Sequence, residues 1–304
     1  MTESQFPQLV STQEITIINN ILGSFPNLKD IIHLCNSNTI LRFDQYAGNI
    51  PKSRKNEMCE STIYEVLLES RGIKRWAYQL KHLEELLTRY PEYCKTEFGQ
   101  QLVGSFFSHY LEIEIYDNLK VCGYNPIIDP PIMPSLHEST KADFKINQNG
   151  HDIFIEVFTP RPPLSEDLNF EEKPKTGFFG DNGRNNTFDK IYNEYSHHFK
   201  RFEPRYNSPT LIVLDKTYSM GLSETLGSLD LSEIYSKYEF PDYFIGILDR
   251  TRYNIDFIYK LLNKPKPIRF YLNPSYVDHH TLIPELFRCF IHNNAISGKL
   301  CGLD

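Results

Sequence analysis

The 304-residue chain has no run of about 18 apolar residues, so no membrane-spanning helix is expected. It has no C-x-x-C pair: its six cysteines, at 35, 59, 94, 122, 289 and 301, stand too far apart for a zinc or disulfide framework and read as separate thiols of a cytoplasmic protein. The N-terminus shows no basic-then-apolar leader pattern. Basic residues are in the minority, 32 Lys and Arg against 39 Asp and Glu, which argues against a protein that coats long nucleic acid with a broad positive surface. No phosphate-loop spacing and no G-x-S-x-G elbow occur. What is present is ample core material, with 40% hydrophobic and 13% aromatic residues.

The first hundred or so residues read as helical. Ser11-Thr12-Gln13-Glu14 has the spacing of a capping box. Between Glu60 and Arg89, Ile63, Val66, Leu67, Trp76, Leu80, Leu83, Leu86 and Leu87 recur at helical spacing, broken near Gly72. These amphipathic helices suit homodimerisation, partner docking or capping of a sheet alike. A further helix is expected from about Gln100 to Val121, closed by Gly123.

Beyond it the texture changes. Tyr124–Ile132, with Pro126, Pro130 and Pro131, suits an edge strand. Ala142–Ile146 and Asp152–Phe158 read as strands around Asn149-Gly150, a strong hairpin signal. Residues 159–186, rich in Pro, Gly, Asn and charge, read as a long loop. A helix at 187–202, a buried strand at 210–214, a helix near 222–237 and strands at 243–248 and 268–272 complete an α/β pattern.

The hairpin register follows from its turn. If Asn149 and Gly150 form the loop, Gln148 faces His151, and counting back along both strands sets Asp143 opposite Glu156 and Lys141 opposite Phe158. Facing residues on antiparallel strands have Cβ atoms about 4.5–5.5 Å apart. Two carboxylates that close repel unless a cation or proton lies between them, and hard oxygen donors suit Mg²⁺ or Mn²⁺. A solvent-exposed pair is the plain alternative. Against it, Glu156 lies within Ile153-Phe154-Ile155-Glu156-Val157-Phe158, where an acid is costly without a role.

An acid before a hairpin turn, followed by an apolar strand carrying Glu, resembles the core of the PD-(D/E)XK, or restriction-endonuclease-like, nucleases. The pieces are Lys141-Ala142-Asp143 and Ile155-Glu156-Val157-Phe158, preceded by the helix Ser108–Leu119 and Gly123-Tyr124. The resemblance implies an α-β-β-β-α-β core over about residues 100–215: an α/β fold with a mixed central sheet flanked by helices. A helical region at 1–98 would precede a nuclease-like domain at 99–304. It also implies a metal-dependent nuclease that cuts phosphodiester bonds, with DNA the expected partner, Mg²⁺ or Mn²⁺ the cofactor, and Asp143, Glu156 and Glu112 the metal ligands. Glu112 matches the family's helix acid. Glu114, an acid on the apolar stripe of Val103, Phe107, Tyr110 and Val121, is the alternate.

One departure stands out. The family's lysine follows its Glu by two residues, and Phe158 occupies that position. The stand-ins are Lys190, in the helix after the loop, and Lys141, opposite Phe158. Lys145, opposite Phe154, is a weaker third. Without a replacement, the same fold would serve as a catalytically impaired module that binds nucleic acid or a protein. Arg161, Lys173, Lys175 and Arg184 of the loop, with Lys200, Arg201 and Arg205 beyond it, are the candidate phosphate contacts, although interleaved acids favour a solvated loop. Neighbouring histidines at 197–198 and 279–280 point apart on a helix and suit no shared metal.

Overall fold

A computed structural model of the chain describes residues 12–32, 40–41, 59–60, 62–72, 74–104, 106–132, 141–159, 188–189, 191–196, 208–215, 231–250 and 269–276. Its described residues divide into two compact units, one ending at Glu114 and the other beginning at Ile115. Among them no helix is long and apolar enough to cross a membrane.

The first unit is helical. It comprises α1 (Thr12–Leu22), α2 (Pro26–Ile31), a two-residue parallel pair of β1 (Ile40–Leu41) with β2 (Cys59–Glu60), then α3 (Thr62–Glu69), α4 (Lys74–Arg89) and α5 (Thr96–Gly104). The helix α6 (Phe106–Val121) begins in this unit and ends in the other. The start of α1 at Thr12 is where the capping pattern puts it, and the break between α3 and α4 falls at Gly72. Ile63, Val66, Leu67, Leu80, Leu83, Leu86 and Leu87 are buried as their spacing predicts. Trp76 is half-buried against the Phe107 ring. The N-terminus of α2 is capped from α4, because Glu84 accepts the backbone N–H groups of Asn27 and Leu28 at 2.9 and 3.0 Å. The single helix expected from Gln100 to Val121 is two, α5 and α6, divided after Gly104, a residue that weakens a helix interior.

The second unit is built on a six-stranded mixed sheet in the order β3-β4-β5-β6-β7-β8. Its strands are β3 (Ile127–Ile128), β4 (Phe144–Gln148), β5 (His151–Phe158), β6 (Thr210–Leu214), β7 (Phe244–Asp249) and β8 (Arg269–Leu272). The strands β5, β6 and β7 run parallel, and the remaining pairs are antiparallel. The order α6, β3, β4, β5, helical residues at 188–189 and 191–196, β6 is the α-β-β-β-α-β sequence that the resemblance implies. The helix end expected at Gly123 is formed by paired bonds, Gly123 N–H to Lys120 O and Tyr124 N–H to Leu119 O, with Gly123 at φ 88°.

Helices cover both faces. Phe188, Ile191, Tyr195 and Ile234, the last from α7 (Ile234–Lys237), pack with Phe154, Ile212, Leu214 and Ile247 of one face. On the opposite face Tyr116 of α6 meets the Phe144 ring at 5.9 Å. Polar ties join the first layer: Lys237 Nζ donates to Asp189 Oδ1 at 2.7 Å, Tyr238 donates to the same oxygen, and the Tyr238 ring stacks on Tyr192. Of the helix expected near 222–237, the described part is a 3₁₀ turn at Leu231–Glu233 leading into α7.

Candidate functional site

The hairpin is the framework of the site, and its register is the one that the turn predicts. Gln148 pairs with His151, Ile146 with Ile153, Lys145 with Phe154 and Phe144 with Ile155. Asn149 and Gly150 both have positive φ, 52° and 86°, the conformation of a type I′ turn. The ladder then stops at Phe144, because the chain bends at Asp143. The facing pairs expected one and three steps further on, Asp143 with Glu156 and Lys141 with Phe158, lie beyond its end. Lys141 is exposed and bridges Pro131 instead. Phe158 pairs with Leu214 of β6.

The bend does not carry Asp143 away from β5. Its Oδ2 accepts the backbone N–H of Val157 at 2.6 Å, next in sequence to Glu156. Glu156 pairs with Ile212 in the middle of the sheet and is 4% exposed. Strand alternation puts it on the face of Phe154 and Phe158, and Phe158 packs against the apolar cluster of that face. The position where the resemblance would have a lysine is therefore part of the core packing. Lys145 is committed elsewhere, with its Nζ 3.0 Å from Asp152 Oδ2. Asn147 Nδ2 donates to the other oxygen of Asp152 at 3.0 Å. These two hydrogen bonds, Asn147 first, hold the Asp152 carboxyl below the usual carboxylate range.

The two helix acids belong to the first unit, and each has a histidine near it there. Glu112 Oε2 lies 2.9 Å from His109 Nδ1. Glu114, 7% exposed, has Oε1 3.7 Å from His82 Nδ1, which also bonds Tyr110 OH at 2.8 Å. The apolar stripe assigned to Glu114 is shorter than expected, since Val103 lies in α5 and Val121 is 54% exposed. Lys190, the loop and post-loop cations from Arg161 to Arg205, and the paired histidines lie outside the described residues. Among the described residues no three His, Cys, Asp or Glu side chains form a group that by itself could hold a metal ion. Cys94 and Cys122 are free thiols.

No family model matches the chain, and no curated protein matches it. Among solved structures it has a likeness to a restriction endonuclease PspGI–substrate DNA complex. The two are 13% identical, with 82% of this chain and 93% of that one covered, at a TM-score of 0.24. A likeness that slight carries no argument, so the site rests on its own residues.

One set of residues has no counterpart in the sequence reading. Thr159, Asp215, Asp249 and Arg250 are buried at the carboxyl ends of β5, β6 and β7, the edge to which Asp143 also returns. Backbone bonds from Asp215 N–H to Phe158 O and from Arg250 N–H to Leu214 O set them in register. The signal was legible: two apolar runs, at 210–214 and 244–248, each end on an aspartate.

Proposed function

We propose that the chain is a metal-dependent nuclease that hydrolyses phosphodiester bonds, with DNA the expected substrate. The observation that carries this reading is the 2.6 Å hydrogen bond from Val157 N–H to Asp143 Oδ2, which ties one acid to the amide that follows a second acid, 4% exposed in an apolar strand. Burying a carboxylate costs stability, and gathering another beside it costs more unless a cation is to be bound. The donor set fits Mg²⁺ or Mn²⁺, since Mg²⁺ is commonly held by one or two carboxylates, with water and substrate phosphate oxygens completing its shell. When bound, the cation would lower the pKa of a water and balance charge on the phosphoryl group.

In this reading Asp143 and Glu156 are the metal ligands. Lys190 or Lys141 supplies the positive charge that orients water or offsets the developing negative charge. The reading is tested by incubating the full chain with Mn²⁺ and plasmid, single-stranded DNA or RNA. Cleavage that disappears in Asp143→Ala and Glu156→Ala supports it, and no cleavage of any substrate overturns it. A second reading, a nuclease-fold module that binds without cutting, is favoured by Phe158, which packs against the apolar cluster. Metal binding together with nucleic-acid or protein binding and no cleavage is its signature.

A further inference from the structure

Strand alternation fixes where each N–H of β5 points. The Phe154 N–H bonds Pro209 O, on the β6 side, at 2.9 Å, so the odd-numbered residues of β5 turn theirs toward β4. Ile153 and Ile155 meet Ile146 and Phe144 there. Val157 would next meet the backbone of Ala142. That partner has turned away: Ala142 N–H bonds Pro130 O at 3.2 Å, while Asp143 O accepts the Asp129 N–H at 3.1 Å. Two consecutive residues that both bond toward β3 break the alternation, which is the bend at Asp143. The Val157 N–H, deprived of its ladder partner by that bend, is taken by the Asp143 side chain at 2.6 Å.

We propose that the Val157 backbone amide is a positioning group of the candidate site. The inference rests on the nuclease reading and adds that the geometry of the acids is set by the fold before any cation arrives. A hydrogen bond to an ionised acceptor is short and strong, and a partner behind a metal-binding carboxylate orients it. The amide also offsets part of the Asp143 charge beside Glu156. Asp143 thus has two separable jobs: it completes the hydrogen bonding of β5, and it presents a carboxylate next to Glu156.

Amide exchange on the metal-free full chain, together with Mn²⁺ binding by calorimetry, tests this. In Asp143→Ala the Val157 amide is expected to exchange about tenfold faster or more, with Ile153 and Ile155 unchanged. Asp143→Asn keeps the acceptor, so Val157 stays protected while Mn²⁺ binding is lost. Asp143→Glu keeps the charge but shifts it by one methylene, and its Mn²⁺ affinity is expected to fall about tenfold or more. Equal Val157 exchange in wild type and Asp143→Ala overturns the proposal, as does wild-type Mn²⁺ affinity in Asp143→Glu. A wild-type chain that binds no Mn²⁺, even with Val157 protected by Asp143, overturns the nuclease reading and the positioning role with it.

Discussion

The two ends of the β4–β5 hairpin hold their acids in different ways. At the turn end Asp152 is matched by Lys145 and Asn147, with side-chain exposures of 26% for Lys145 and 41% for Asp152. Such a pair sits largely in water and contributes little. At the open end an acid returns to the strand beside another acid that is 4% exposed. Drawing like charges together costs stability unless a counter-charge is supplied, and the proposed metal site would supply one.

That contrast can be broken most sharply by activity. Asp143→Ala and Glu156→Ala are each expected to lower Mn²⁺-dependent cleavage by more than about 100-fold, beyond the loss of an outer partner. Lys145→Ala and Asp152→Ala, at the turn end, should leave it within about twofold in the same plasmid assay, since exposed pairs contribute little. Lys190→Ala or Lys141→Ala should cost about 100-fold, the scale of losing one charge-stabilising group. Small and equal effects from all three lysines would remove both stand-ins.

The next effects are in stability. Gly150→Ala meets nothing within 4 Å, but its φ of 86° is strained for any side chain, so the chemical-denaturation midpoint should fall by the equivalent of about 1–2 kcal/mol. Glu156→Gln removes a buried charge at nearly constant shape, and the metal-free protein should gain about 1 kcal/mol as it loses Mn²⁺ binding. Loss of stability in that variant would mean that the carboxylate is structural. The smallest effect belongs to Asp152. Its carboxyl is held below its ordinary value, so its contribution is present above the unfolded pKa, about 3.9, and is lost as pH falls through the lower folded value. Screening at 41% exposure limits it to a few tenths of a kcal/mol. Urea titrations at pH 6 and pH 3 should therefore differ slightly less for Asp152→Asn than for wild type.

Local rules made the hairpin legible. Asn149-Gly150 specified the turn, the turn specified the register, and the register brought Asp143 to the neighbourhood of Glu156. Where the ladder ends was not legible, because the bend comes from a non-local competitor. The edge segment at Asp129 and Pro130 captures the backbone of Ala142 and Asp143. The division between α5 and α6 at Gly104 is not legible for a similar reason, as apolar spacing carries on across it. Asp215, Asp249 and Arg250 each read singly as the end of a strand. Only the assembled parallel sheet sets them side by side.

The strand β5 has a near neighbour in sequence on one side, β4 across a two-residue turn, and on the other β6, where Phe154 meets Thr210. Hairpins close in about 1–10 μs, while pairings between distant segments wait on loop closure. The Val157–Asp143 bond lies on the hairpin side. The tie of Asp143 to β5 is therefore written into the part of the sheet with the shortest search to make, and does not depend on the parallel strands arriving first. Segments joined at β6 and beyond can vary in length or order of assembly without altering that bond.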